Sequence, residues 1–418
     1  LSFPRKRAVV IICLPMNLLT LNIDTIPLGQ PLPFALRGAA GGLLAHKGFV
    51  IRNREELEVL LARGVQLCVD TEESGDSHRT YLSQLQRMLL SEKPLKDIAS
   101  MQMEAAAQPA RNQAAPAGPS SWPDLQQRAT QLLRSPQVGE GEFADRFLEL
   151  HGELAQQCLQ TPDATLLALI RISGQETHMY SATHSMLVAC VCMVVARATL
   201  RWTEDRVLRI GCAALSMNCA MTELQDQLAV QKDPLSPGQI AAVENHADRT
   251  VALLQSLGVR DTLWLDAVRM HHHRAPGTLA SKSEAQQMAR LMQRADIFAA
   301  RLAPRVSRPP MPVTAAMQSC YYDEAHQVDE AGAAIVKTLG VYPPGTFVRL
   351  TSQEVGLVVR RGATATTPKV AVLLNREGMP TGEMIPRDSS QPAWKITGVV
   401  SQREVRVQIP LERLLAMV

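Results

Sequence analysis

The feature that most constrains the fold is a long region of helical periodicity between residues 124 and 339. Apolar residues recur there at three- and four-residue spacing, and no stretch alternates apolar and polar residues as a half-buried strand does. Proline follows Thr161 and Ser236 at the first position of a helix, and Gly258 and Gly277 are typical helix ends. An all-α bundle is therefore predicted. Its helices are expected at 125–133, 143–159, 163–172, 184–198, 204–221, 237–257, 261–271 and 284–302.

The regions that flank the bundle differ from it in pattern. Residues 16–100 combine short apolar runs, parted by the hairpin signal Gly41-Gly42, with a helix capped by Asn53 and a later connector helix, so a small α+β module is predicted. Residues 101–123 are rich in Ala, Gln, Pro and Ser, which is typical of a flexible linker. Residues 340–418 predict a small β-barrel or curled sheet. Its strands are expected near 347–350, 355–361, 370–374 and 405–409, before a short helix at 411–417.

The first residues and the composition limit location and partners. Arg5-Lys6-Arg7 precedes an apolar run that Pro15 interrupts, so residues 1–15 are interpreted as a leader or upstream extension. This apolar run is too short to span a bilayer and no other stretch approaches that length, so a cytoplasmic protein without membrane contact is predicted. A net charge of +3 without a basic stripe predicts no nucleic-acid partner. The eight scattered cysteines are interpreted as small buried apolar residues in a reducing compartment.

Three adjacent histidines, at 271–273, end an apolar helix just before Pro276-Gly277. Imidazole is a common ligand of transition metals, although a surface cluster favoured by the helix dipole is the alternative. Asp296 interrupts another apolar helix, where a carboxylate is costly unless it is paired or metal-bound. Its alternative partners are Arg290 and Arg294. The predicted ligands of a helical metal site are His184, His246, His271, His272 and Asp296.

Five motifs follow one another along the chain: Thr183-His184-Ser185, residues 235–246, His271-His272, Arg294-Ala295-Asp296 and Arg308-Pro309. Their order resembles the HD-GYP subgroup of the HD-domain phosphohydrolases. The resemblance covers about residues 140–340 and implies a helical bundle that holds two or three metal ions, usually iron or manganese. It also implies hydrolysis of the bacterial second messenger cyclic di-GMP, and a phosphate contact for Arg308, for which an exposed loop arginine is the alternative.

The departures from the family pattern replace residues that are expected at the centre of the implied metal site. The His and Asp that name the family align with Met217 and Asn218, the Glu expected one turn before His184 falls on Tyr180, and residues 276–279 lack the GYP motif. A bridging Asp holds two metal ions together. Asn is a poor bridge because it is neutral, and the Met thioether is too soft for divalent iron or manganese. A degenerate, catalytically inactive member is therefore predicted.

The predicted function is that of a regulatory module in the cyclic di-GMP network, which senses the nucleotide or acts as a scaffold without hydrolysing it. One divalent ion, iron or manganese, is expected to bind weakly through His246, His271 and His272, or no metal at all. The alternatives are a metal-dependent cyclic di-GMP phosphodiesterase with a reduced ligand set and a purely structural interaction protein. Cyclic di-GMP, signalling proteins and a second copy of the chain are the expected partners.

Overall fold

The computed structural model falls into two compact units, Leu1–Ala117 and Gly118–Val418. The predicted leader, the helix after Asn53, the connector helix and all but the last residues of the linker lie outside the described residues. The structure describes residues 18–20, 32, 36–38, 43–45, 51, 67–70, 121–137, 142–175, 179–274, 277–308, 310–401, 404–405, 407 and 409–418.

The first unit contains a small antiparallel sheet. Its described strands are β1 (Leu18–Thr20), β2 (Leu36–Gly38), β3 (Leu43–Ala45) and β4 (Leu67–Asp70), in the order β1-β4-β2-β3. β2 and β3 form the hairpin predicted around Gly41-Gly42. β4 returns between β1 and β2 and pairs with both.

The second unit begins with the helical bundle, so the mainly α fold class is confirmed. The first helix begins at Trp122, two residues before the predicted start of the domain at 124. The helices are α1 (Trp122–Arg134), α2 (Phe143–Gln160), α3 (Pro162–Ser173), α4 (Tyr180–Ala198), α5 (Glu204–Ser216), α6 (Thr222–Val230), α7 (Pro237–Glu244), α8 (His246–Ser256), α9 (Thr262–Met270), α10 (Glu284–Leu302), α11 (Val313–Tyr321) and α12 (Glu330–Leu339).

The helix starts follow from local sequence. Ser121, Ser236 and Ser283 each cap a helix by accepting a hydrogen bond from the backbone N–H three residues later. The residue at that third position returns a side-chain bond to the serine N–H, which completes a capping box. Proline follows the cap in α1 and α7, where its missing N–H costs nothing.

The helix α4 is the centre of the bundle. Every residue from Tyr180 to Ala196 is buried. Its length and composition are those of a membrane-spanning helix, contrary to the expectation from sequence, yet 89% of its most apolar window is buried against the rest of the bundle. A helix that is apolar on all sides suits the core of a large domain, and this packing accounts for the composition.

Two predicted helices are shorter than expected, and both changes affect the candidate site. The helix predicted over 204–221 ends at Ser216, and a turn at Met217 and Asn218 leads into a short 3-10 helix, Cys219–Met221. The helix predicted over 237–257 breaks at Asn245, whose side-chain amide donates to the carbonyl of Ala241. This local bond competes with helix continuation, and α8 therefore starts afresh at His246.

The chain ends in a five-stranded antiparallel sheet, as the short strands predicted. The strands are β5 (Phe347–Leu350), β6 (Val355–Arg360), β7 (Lys369–Leu374), β8 (Pro380–Asp388) and β9 (Ile396–Val399), in the order β8-β7-β6-β5-β9, before α13 (Leu411–Leu415). The strand predicted at 405–409 is wrong. The described residues there, Val405, Val407 and Ile409, are not in a strand but pack against the apolar face of the sheet. The alternation of apolar and polar residues over 405–409 reflects that packing.

The sheet is fixed to the bundle through α3. Leu167 belongs to the same buried cluster as the sheet residues Leu357 and Val359. The guanidinium Nε of Arg361 donates to Asp163 Oδ1 at 2.6 Å and forms an ion pair between the two parts of the unit.

Candidate metal site

His246 and His271 form the centre of the site. His246 opens α8 and His271 follows α9, and both side chains are buried. The Nδ1 atom of His246 lies 2.6 Å from the carbonyl oxygen of Val243, and that of His271 lies 2.6 Å from the carbonyl oxygen of Val268. A carbonyl oxygen only accepts hydrogen bonds, so both Nδ1 atoms carry hydrogen and donate. The Nε2 atoms of the neutral rings are therefore both lone-pair acceptors.

These two Nε2 atoms face each other at 3.1 Å. Two lone pairs repel at that distance unless a proton or a metal ion satisfies them. Two nitrogens bound to one ion at about 2.1 Å, and at right angles, lie about 3 Å apart. Burial, more than any other cause, lowers the pKa of His246 and lowers that of His271 to about 3, which disfavours the proton. The pair therefore fits a shared metal ion.

His272 completes a three-histidine face. Potential ligand nitrogens of His246, His271 and His272 lie within 4.8 Å of one another, and no other such group of three occurs among the described residues. His272 is exposed, unlike the other two, so the face opens towards solvent on its side. The ring is nevertheless partly enclosed, and this burial is the main cause that lowers the pKa of His272 and so favours its neutral, metal-binding form.

His184 and Asp296 form a second group beside the three histidines. His184 Nε2 lies 2.7 Å from Asp296 Oδ1, and the His184 ring stacks on Tyr180 with 5.7 Å between centroids. The buried Nδ1 of His184 has no hydrogen-bond partner among the described residues. Burial raises the pKa of Asp296, but His184, followed by His271 and His272, outweighs that effect and lowers it to about 2. Asp296 is thus a carboxylate throughout the physiological range.

The arginines offered as alternative partners of Asp296 are engaged elsewhere. Arg290 pairs with Asp329 at 2.6 Å, and Arg294 pairs with Glu324. These pairs hold α10 against the segment before α12. Neither arginine therefore pairs with Asp296. Its carboxylate contacts His184 and lies near His271 and His272, where it could bind a metal ion.

Arg308 lies in an open groove that begins at Asp296. Arg301, Arg305 and Arg308 line the groove together with Asp323 and Glu324, and its volume is about 580 Å³. Arg305 donates to the hydroxyl of Tyr180 at 2.7 Å. Burial and then Arg305 lower the pKa of Arg308, with Arg301 a further cause, so the positive charges lie close together. The sequence motifs indicated Arg308 but not Arg301 or Arg305. They also did not indicate that Tyr180, which stands where the family has a carboxylate, accepts a hydrogen bond from Arg305.

The turn at Met217 and Asn218 is buried next to these groups. Met217 is fully buried and Asn218 nearly so. The backbone N–H of Ala220 donates to the hydroxyl of Thr250, one turn beyond His246 in α8. The segment that departs from the family pattern therefore packs beside the helix that begins with His246.

Comparisons with known proteins agree with the motif order. No protein-family model matches the sequence. The chain is 24% identical over 249 residues to a cyclic di-GMP phosphodiesterase of Pseudomonas aeruginosa, an alignment that covers 58% of this chain and 59% of that protein. The chain thus spans about three fifths of the length of this curated relative.

Among solved structures, an HDG"Y"P protein from Bdellovibrio bacteriovorus matches 76% of this chain and 98% of its own, with 13% identity and a TM-score of 0.39. The motif order and the alignment with the Pseudomonas relative together make the chain similar to the HD-GYP group of the HD-domain phosphohydrolases.

Proposed function

We propose that this chain is a degenerate HD-GYP regulatory protein, which binds one divalent metal ion and cyclic di-GMP without hydrolysing the nucleotide. The single observation that carries the proposal is the geometry of His246 and His271, whose facing Nε2 atoms at 3.1 Å fit one shared ion. Among the described residues, only these two and His272 form such a group of three potential ligands.

The loss of catalysis is argued from the turn after α5. A second ion would need a bridging carboxylate, and the aligned position holds the neutral side chain of Asn218. The preceding position holds Met217, whose thioether is a poor ligand for iron or manganese in the divalent state. A single ion would supply positive charge for a phosphate. Met217 and Asn218 would not hold the second cation that a two-metal site uses.

Nucleotide binding is argued from the arginine-lined groove. The cations Arg301, Arg305 and Arg308 suit the two phosphodiester charges of a cyclic dinucleotide, because a guanidinium can form two parallel hydrogen bonds with a phosphate. Arg305 is held in place by its hydrogen bond to Tyr180 and lies over that ring at 5.0 Å. The relative of Pseudomonas, named as a cyclic di-GMP phosphodiesterase, supports this choice of nucleotide.

The test is titration of the manganese-loaded full chain with cyclic di-GMP by calorimetry, followed by chromatography of the nucleotide after prolonged incubation. We expect saturable binding and unchanged nucleotide. Arg308→Gln should weaken binding by about tenfold, because a phosphate contact is lost. The matched control is Arg376→Gln, which alters a fully exposed arginine.

Each other outcome selects a rival function. Conversion of the nucleotide to a linear product would support the phosphodiesterase with a reduced ligand set. Absence of binding, with the metal still present, would support a scaffold that acts through protein contacts.

A further inference from the structure

A second cavity lies where the C-terminal sheet meets the helical bundle. It has a volume of about 270 Å³ and shares no lining residue with the groove at Asp296. Its walls come from the end of α3, the segment that leads into α11, the start of β5 and the residues after β9. Most of the lining is apolar, including Ile170, Leu302, Pro312, Phe347 and Val400.

One cation, Arg171, lines this apolar cavity without a counter-ion. No carboxylate of the described residues lies within 4.0 Å of its guanidinium, whose central carbon lies over the ring of Phe347, 5.5 Å from the centroid. Other arginines of the same unit, such as Arg361, have an acidic partner. Burial lowers the pKa of Arg171, which reflects the cost of keeping this charge partly out of water. A charge in this setting is stabilised by an anion.

Three backbone N–H groups and one hydroxyl that line the cavity do not compete with the guanidinium for such an anion. The N–H groups of Gly345, Thr346 and Val400 donate to the carbonyls of Val358, Pro343 and Phe347. The hydroxyl of Thr346 also donates to the carbonyl of Pro343. These donors are therefore already used within the protein.

The number of hydrogen-bond donors on the Arg171 guanidinium indicates which class of anion this cavity would bind. A phosphate has three or more acceptor oxygens and up to two charges, which a single guanidinium does not satisfy. A carboxylate matches one guanidinium with two parallel hydrogen bonds. The apolar walls favour a hydrocarbon body, and the volume of about 270 Å³ is near the lower limit of small-molecule sites.

We propose that this cavity binds a small monocarboxylate, with its carboxylate on Arg171 and its apolar body against Ile170 and Phe347. The ligand would touch both the bundle and the sheet, so its binding would also raise the thermal midpoint of unfolding of the full chain. The proposal is independent of metal and nucleotide binding.

The test uses hexanoate and its neutral counterpart hexanamide, titrated into the full chain by calorimetry. We expect saturable one-to-one binding of hexanoate, and binding of hexanamide weaker by about tenfold or more because the ion pair is lost. Arg171→Gln should weaken hexanoate binding by a similar factor, whereas Arg376→Gln should leave it unchanged.

A second variant tests the location without touching the cation. Val399 lines the cavity and is 40% exposed, so Val399→Phe adds a ring at the wall without opening a hole in the core. It should abolish hexanoate binding while cyclic di-GMP binding stays as in the parent. Equal affinity for hexanoate and hexanamide, affinity unaffected by Arg171→Gln, or no binding of hexanoate at all would each overturn the proposal.

Discussion

At the scale of single residues, the backbone decides what the buried histidines can do. Carbonyl oxygens of Val243 and Val268 accept hydrogen bonds from Nδ1 of His246 and His271, which fixes the tautomer of each ring. Both Nε2 lone pairs are then directed to one point, and burial makes protonation there unfavourable. Metal-binding histidines in general are oriented in this way, by a hydrogen bond from the ring nitrogen that does not bind the metal.

Removing one of these rings should release the metal. We expect His271→Ala to weaken Mn²⁺ binding by about tenfold or more, because a buried ligand is lost and its partner His246 is left with one neighbour fewer. Equilibrium dialysis with metal analysis measures the change. The control is His273→Ala, which alters the exposed third histidine of the triplet. Equal metal content in the two variants would contradict the assignment.

A different buried histidine should make stability depend on pH. Burial lowers the pKa of His151 to about 4, against an opposing hydrogen bond with the backbone of Leu208. Below pH 6.5 the unfolded chain therefore binds a proton that the folded chain does not, and stability is lost as pH falls towards 4. Between pH 7 and pH 5 this costs about 2 kcal/mol.

His151→Gln should remove that part of the pH dependence. Denaturant unfolding at pH 7 and pH 5 gives the two free energies, and their difference should shrink by about 2 kcal/mol in the variant. His273→Gln serves as the exposed control. A variant that loses as much stability between the two pH values as the parent does would show that His151 is not buried as a neutral ring.

At the scale of elements, α4, which carries His184, packs closely against α5 and α2. Gly211 of α5 lies against both neighbours, since a Cβ atom there would stand 2.4 Å from His151 Nε2 and 2.6 Å from Met193 Sδ. Helix propensity alone would favour alanine at this position. Packing therefore outweighs propensity.

The sign of a glycine-to-alanine change should reverse between two helices. Gly211→Ala should lower the free energy of unfolding by about 1–3 kcal/mol through overpacking. Gly152→Ala, in the exposed face of α2 with nothing within 4 Å of the new Cβ, should raise it by about 0.5–1 kcal/mol. Chemical denaturation measures both. A stabilising effect of Gly211→Ala would mean that α4 and α5 are less tightly packed.

The turn after α5 should be repairable. Met217→His combined with Asn218→Asp restores the ligand types that the family pattern places there, so we expect more metal retained per chain after purification without chelator. Metal analysis by plasma emission measures the content. Met217→Leu with Asn218→Ala is the control, since neither side chain binds metal. Should the restored variant hold no more metal than the parent, the alignment of this turn with the family motif would be wrong.

At the scale of the whole second unit, the sheet and the bundle are joined by one ion pair and one buried cluster. Asp163 Oδ1 accepts hydrogen bonds from both the backbone N–H and Nε of Arg361, and Arg361 also donates to the carbonyl of Thr338. Leu167 adds an apolar contact from the same helix. The junction formed in this way also encloses the cavity at Arg171.

Asp163→Ala should loosen this junction. The loss of a partly buried pair, with Arg361 left without its carboxylate, should cost about 1–3 kcal/mol of unfolding free energy. Calorimetry should show a lower and broader thermal transition, because the sheet unfolds less cooperatively with the bundle. Glu377→Ala, in the exposed pair with Arg376, should change nothing measurable. A parent-like transition for Asp163→Ala would mean that apolar contact alone holds the sheet.

Much of the fold was predictable because helix formation is local. The spans of α2, α3 and α10 follow from the apolar spacing, helped in α10 by the capping box at Ser283, and they agree with the prediction to within one residue at each end. The break at Asn245 and the end of α5 were not predictable from periodicity, since the pattern continues across both. The last strands were missed because β8 is largely exposed and lacks a regular alternation of burial.

The sequence by itself determined the helical class, the family resemblance and the candidate residues, because periodicity and motif order are properties of neighbouring residues. Only the tertiary structure decided how those residues group. His184 meets Asp296 across 112 positions, His246 meets His271 across 25, and Arg171 is enclosed by a sheet that begins far along the chain. Such contacts depend on which faces pack together, and packing sums many weak interactions over the whole domain. No local pattern encodes that sum.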